Sequence, residues 1–143
     1  MKKKKSDEYV IIIGCGRLGT HLANLLSIDG YSVVVVDKEA KAFESLSENF
    51  GGFTIEADAI EDQVLREANI DRADVLAATT DDDNTNIMIA QIAKTIYNVP
   101  KVIARLHEPN RKRVYQQLDI ETVSPTTLSA EEFQRLIIQE EDL

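Results

Sequence analysis

The chain has 143 residues, 43% of them hydrophobic and 29% charged, with 16 Lys and Arg against 25 Asp and Glu for a formal net charge of -9. That length makes one domain with a core large enough to be stable without staples. The acidic balance argues against a nucleic-acid surface, the single cysteine excludes a disulfide framework and fits a reducing compartment, and no apolar run approaches the ~20 residues that cross a membrane, so a soluble cytoplasmic protein is expected.

Residues 1–7 carry four lysines with no apolar stretch behind them and read as a solvated basic tail, with weak attraction to anionic lipid as the other reading. Tyr9 to Ile13 then form a β-favouring run that passes directly into Gly14-Cys15-Gly16-Arg17-Leu18-Gly19, and Leu18, Leu22, Leu25 and Leu26 follow at helical spacing. A G-x-G-x-x-G between a strand and a helix is the turn that receives a dinucleotide. Gly14 permits the sharp turn, Gly16 leaves no Cβ where a diphosphate must approach, and Gly19 lets the helix lie close to the sheet. The helix start offers free N–H groups and a partial positive charge to phosphates. A glycine turn that only packs a helix on a strand is the structural alternative.

Ser32 to Asp37 is a second buried strand ending in an acid, 18 residues beyond Gly19. A carboxylate there accepts bonds from ribose hydroxyls and repels a 2′-phosphate, favouring adenosine nucleotides or NAD over NADP. A helix is expected from about Glu39 to Phe50, ended by Gly51-Gly52, followed by strand three over Phe53 to Glu56 and a short helix from Glu61 to Ala68 closed by Asn69. Asp74 to Ala78 is strand four. A long helix carrying Ile87, Ala90, Ile92, Ala93 and Ile96 follows and stops at Asn98-Val99-Pro100. Lys101 to Arg105 is strand five, about Pro109 to Leu118 a helix, Ile120 to Val123 strand six, and Ser129 to Gln139 a last amphipathic helix. Strands alternating with helices predict a Rossmann-type α/β fold, a doubly wound parallel six-stranded sheet of order 3-2-1-4-5-6. Ligands bind beyond the carboxyl ends of such strands, where the order reverses.

The strand ends therefore carry the candidate site. Asp58, with Ala57 and Ala59 small enough to admit a flat base, is a base-edge or backbone-organising contact, or else a helix cap. Thr79 lies across the switch point from Gly14, within reach of ribose or phosphate. Arg17 opens the first helix, where a guanidinium can fork onto free β- or γ-phosphates, and Arg105 faces either this cleft or a neighbouring subunit. Asp81 to Asp83 are explained by capping and the helix dipole. With one cysteine and two separated histidines, no zinc or iron site can be assembled from soft ligands, leaving magnesium on the nucleotide phosphates as the open metal question. Cys15 reads as a small buried thiol, and no nucleophilic triad can be drawn.

The glycine motif, Asp37, Asp58-Ala59, Ile70-x-x-Ala73-Asp74, Thr79 to Asn86, Val102-Ile103-Ala104-Arg105-x-x-x-Pro109 and Val123-Ser124-Pro125 together resemble an RCK domain, also called KTN or TrkA-N, over about residues 8 to 139. The resemblance implies a nucleotide-binding domain over 8–128 and a crossover helix with an acidic tail over 129–143. It also implies copies paired as dimers in an octameric ring, occupied by ATP, ADP, AMP or NAD(H), that gates a potassium channel or transporter from the cytoplasmic side. Ligand contacts would fall on Gly14, Gly16, Arg17, Leu18, Gly19, Asp37, Lys38, Asp58, Ala59, Thr79 and Arg105. The apolar face of the last helix, with Phe133, Leu136, Ile137 and Ile138, independently calls for a partner.

Three departures stand out. Ala57, Asn69 and Asp119 replace glycines common in the family, and Asn and Asp tolerate the left-handed conformation. Thr126-Thr127 follow Pro125 where some relatives carry an acid for an intersubunit cation. The chain stops at Leu143 where many relatives continue into a small ligand domain, so a nucleotide site alone is expected, with any second domain supplied by another polypeptide. The leading expectation is a non-catalytic sensor; the alternatives are an NAD-dependent oxidoreductase or a fragment of one, and a scaffold whose nucleotide never exchanges.

Overall fold

The computed structural model describes Lys4 and residues 7–141. Most of the basic tail lies outside the described residues; within them the Asp7 N–H donates to the Lys4 carbonyl at 2.9 Å. Six strands, β1 (Tyr9–Ile13), β2 (Ser32–Asp37), β3 (Phe53–Glu56), β4 (Val75–Ala78), β5 (Lys101–Arg105) and β6 (Glu121–Val123), form one parallel sheet in the expected order β3-β2-β1-β4-β5-β6.

The unbroken apolar runs have a direct cause. Alternate side chains point to opposite faces, and both faces of the central strands are covered. Ile11, Ile13, Val34, Val36 and Leu76 enter a core completed by helices α2 (Asp62–Glu67) and α3 (Asp83–Gln91), while Val10, Ile12, Val33 and Val35 enter a second core under α1 (Arg17–Ile28).

The predicted helix from Glu39 to Phe50 does not form. A six-residue 3-10 turn, Ala40–Ser45, is followed by extended backbone at Leu46. Ser45, Ser47 and Asn49 are weak helix formers, and α1 supplies other partners: Asn24 Oδ1 accepts from the Ser47 N–H and Ser27 Oγ from the Gly51 N–H, both at 3.0 Å. Phe43, Leu46 and Phe50 still pack on the α1 core, so the apolar pattern reported burial and not helix. Gly52 is required for proximity, since a Cβ there would lie 2.2 Å from the Val33 carbonyl oxygen.

The long helix after β4 is also interrupted. Beyond Gln91 it widens into a π turn, Ile92–Ile96, where the Thr95 hydroxyl donates to the Gln91 carbonyl at 2.6 Å. The segment after β5 divides into a 3-10 turn, Pro109–Arg111, and α4 (Lys112–Gln117), and the last helix, α5 (Pro125–Glu141), begins four residues before its predicted start. Asn69 and Asp119 adopt φ of 58° and 57°, as expected of residues standing in for glycine. Lys94 donates to the carbonyl and the carboxylate of Asp119, securing the turn into β6.

Candidate functional site

The carboxyl ends of β1, β2 and β4 open into a cleft of about 610 Å³, a volume suited to a ligand of nucleotide size. Gly14, Gly16, Arg17, Asp37, Lys38, Asp58, Ala59, Thr79 and Arg105 all line it. Leu18 and Gly19, also predicted, do not. Leu18 is half-buried one residue inside α1, and Gly19 is buried behind the turn, where its missing Cβ would overlap the Gly14 carbonyl oxygen at 1.9 Å. Gly19 thus brings helix and turn together, as its place in the motif predicts.

The turn is held from several sides. Gly14 has φ of 101°, and its N–H donates to the Val36 carbonyl at 2.8 Å. Asp37 Oδ2 accepts from the Cys15 N–H at 2.7 Å, and Oδ1 from the Glu39 N–H at 2.8 Å. The acid that would receive the ribose therefore also anchors the phosphate turn. Each carboxylate oxygen accepts more than one bond, so this anchoring leaves capacity for sugar hydroxyls. Thr79 is more fully committed. Its buried hydroxyl is shared between the carbonyls of Ile13 and Gly14, both at 3.0 Å, which ties β4 to the turn and takes the hydroxyl proton out of ligand contact. Asp58 Oδ1 accepts from the Ile60 N–H at 3.2 Å and shapes its own loop; α2 starts only at Asp62, so Asp58 is not its cap.

Two helices begin at the cleft with opposite provisions. At α3, Asp82 is the N-cap: Oδ1 accepts from the Asn84 N–H and Oδ2 from the Thr85 hydroxyl, both at 3.0 Å. At α1, Gly16 supplies no side-chain cap and no acid stands in the first turn, while Arg17 is exposed at the rim. A Cβ built on Gly16 would meet nothing within 4 Å, the mark of a backbone left open to the cleft. An uncapped helix start with an arginine beside it is suited to an anion. On the β2–β3 side the cleft is lined by the apolar residues Ala42, Ala57 and half-exposed Ile60, a lining compatible with a planar base.

Two residues under the cleft carry more than the sequence indicated. Asn86 has no exposed surface. Its Oδ1 accepts from the Thr80 N–H at 3.0 Å and the Thr80 hydroxyl at 2.6 Å, and its Nδ2 donates to the carbonyls of Thr80 at 3.0 Å and Arg105 at 3.1 Å. Asp83, a helix cap by its sequence position, is instead buried and accepts from the N–H groups of His107 at 2.7 Å and Glu108 at 3.1 Å. In the sequence both fall within the Thr79 to Asn86 stretch of the family pattern, but a polar residue at the start of a helix does not distinguish a cap from a tertiary contact.

Cys15 is 2% exposed, with Sγ 3.3 Å from the Thr20 hydroxyl and 3.5 Å from the Ala42 carbonyl. Burial pushes its thiol up, against the Thr20 hydrogen bond, and the Asp37 charge pushes it the same way as burial. Little of it is thiolate at neutral pH. An aromatic disulfide reagent at pH 7 should therefore label the native protein slowly and the urea-unfolded protein rapidly, read as the release of its coloured thiol.

Among the described residues no group of three or more His, Cys, Asp or Glu could hold a metal ion, and no helix is long and apolar enough to cross a membrane.

The TrkA-N domain family matches residues 10–125. The chain is 36% identical over 130 residues to the Trk system potassium uptake protein TrkA of Streptomyces coelicolor, covering 91% of this chain and 58% of that protein. It spans about three fifths of the length of that protein and of the TrkA homologs of Pyrococcus abyssi and Pyrococcus horikoshii. Among solved structures it superposes on the GsuK channel bound to NAD with a TM-score of 0.82 and 25% identity, over 98% of this chain and 25% of that one. GsuK bound to ADP gives a TM-score of 0.80 and 25% identity, over 95% and 35%. With its sheet order as predicted and the family's pattern running from Val10 to Pro125, the chain belongs to the TrkA-N domain family.

Proposed function

We propose that this chain is a non-catalytic nucleotide-binding regulatory domain. An adenine nucleotide, ATP, ADP, AMP or NAD(H), occupies the cleft, and its occupancy biases a ring of paired copies that gates a potassium channel or transporter from the cytoplasmic side. The observation that carries the reading is the uncapped start of α1 over Gly16, beside Arg17 and across from the Asp37 carboxylate. The relatives are named for potassium uptake, and the similar GsuK structures are bound to NAD and to ADP, which supports the same assignment. Magnesium enters only as a companion of the phosphates. Pairing is supported by α5, which exposes Leu128, Phe133, Leu136, Ile137 and Ile138 on a helix that would otherwise be solvated. A ligand shifts such an assembly only by its differential affinity for the two arrangements, so the number of phosphates it presents can itself be the signal.

Calorimetric titration of ligand-stripped protein with ATP, ADP, AMP and NADH, with and without magnesium, tests this beside the mass in solution. Saturable binding to a dimer or larger multiple is expected. Arg17→Ala should weaken ATP and ADP about tenfold, the loss of one charge-assisted contact, and AMP much less. Equal losses for all three would remove Arg17 from reading phosphate number, and no binding by any of the four would end the nucleotide reading. Turnover of NADH with small substrates would favour the oxidoreductase instead.

A further inference from the structure

Arg105 ends β5 on the cleft wall, and its Nε is buried with no hydrogen-bond partner among the described residues. Its backbone lies two strands from β1, about 10 Å at the usual strand spacing, which a phosphate chain over Gly16 and an arginine stem can span between them. A guanidinium on a long stem is effective there only if the backbone beneath it is fixed, because every freedom left to it must be lost on binding. That backbone is fixed from α3. Asn86 holds the Arg105 carbonyl, and two residues further on Asp83 holds the N–H groups of His107 and Glu108. The main-chain carbonyl of Asp83 also receives the Tyr115 hydroxyl at 3.3 Å, which adds α4 to the same joint. Asp82 already caps α3, so the Asp83 carboxylate is not needed for the helix and is spent on the neighbouring loop.

We propose that Asp83 is a positioning residue for the nucleotide site, its buried carboxylate holding the loop from Arg105 to Glu108 so that the Arg105 guanidinium faces the phosphates of the bound nucleotide. The proposal rests on the nucleotide reading above. Two backbone N–H groups bound to one buried carboxylate form charge-assisted bonds that a neutral amide cannot reproduce, since its nitrogen would face one donor with another.

The test is a double-mutant cycle on the full chain, titrated with ADP: wild type, Asp83→Asn, Arg105→Ala and the double variant. Asp83→Asn should weaken ADP about tenfold and Arg105→Ala at least as much. The double variant should bind no more weakly than Arg105→Ala alone, because Asp83 then has nothing left to position. Losses that multiply in the double variant overturn the proposal, as does wild-type affinity in Asp83→Asn. Urea unfolding shows whether each protein is folded, and if Asp83→Asn is not, Asp83→Ser, which retains an acceptor for one N–H, is carried through the same cycle with the same criteria. A purely structural role would lower affinity alike in both backgrounds. Wild-type protein that takes up no ADP, ATP, AMP or NADH overturns the nucleotide reading together with this one, whereas ADP binding with multiplying losses removes Asp83 alone.

Discussion

Gly19→Ala is expected to destabilise the fold by about 3 kcal/mol or more, the upper range for forcing volume into a packed interior. The added carbon would sit 1.9 Å from the Gly14 carbonyl oxygen, 2.9 Å from the Gly14 carbonyl carbon and 2.8 Å from the Thr79 hydroxyl oxygen. Neither neighbour can yield cheaply. Gly14 is held by its own bond to Val36 and by a φ of 101°, and the Thr79 hydroxyl is shared between Ile13 and Gly14. The strain must be relieved by lifting α1 off the sheet, which opens the core of Val10, Ile12, Val33 and Val35 beneath it. Urea unfolding read by circular dichroism should show a lower midpoint with an unchanged slope. A midpoint at the wild-type value would mean that the helix and the turn are not in contact at Gly19.

The sequence made this architecture legible wherever the signal was local or periodic. The strand runs, the glycine spacing and the acid ending β2 each follow from residues within one turn or one strand, and the sheet order follows from their alternation with helices. The stretch from Glu39 to Phe50 shows where that stops. Its apolar spacing is equally compatible with a helix and with a bent segment pinned by Asn24 and Ser27, and those partners lie on a helix more than 20 residues away.

The same limit applies within the site. Gly14, Gly16, Arg17 and Asp37 were readable because the motif places them, but the division of labour among the polar residues was not. Thr79, which lines the cleft, spends its hydroxyl proton on the carbonyls of Ile13 and Gly14; Asp83, expected to cap a helix, holds the loop beyond β5; and Asn86 joins Thr80 to Arg105. All three act on backbone groups brought near only by the parallel sheet. Serine, threonine, asparagine and aspartate at helix starts look the same in sequence whether they cap or cross-link. What separates Asp82 from Asp83 is burial, and burial is a property of the fold.

Gly16→Ala should do the reverse of Gly19→Ala, leaving the fold nearly intact and removing the ligand. Gly16 has φ of -76°, within the range of any L-residue, and a Cβ there meets nothing within 4 Å. The fold loses only the preference for glycine over alanine at an N-cap, no more than about 1 kcal/mol. The open space, however, is the cleft itself, at the point where the first N–H groups of α1 are unopposed. A methyl group there holds a diphosphate away from those donors, and losing about two charge-assisted bonds corresponds to a loss in affinity on the order of a hundredfold or more. Titration with ADP and NADH should therefore show binding abolished or nearly so in a protein whose unfolding midpoint is close to wild type. Binding retained at full strength would place the phosphates elsewhere and leave the glycine at position 16 as a feature of the turn alone. The two substitutions, three residues apart in one motif, would divide it into a part that builds the sheet-to-helix corner and a part open to the cleft, where the proposed nucleotide would lie.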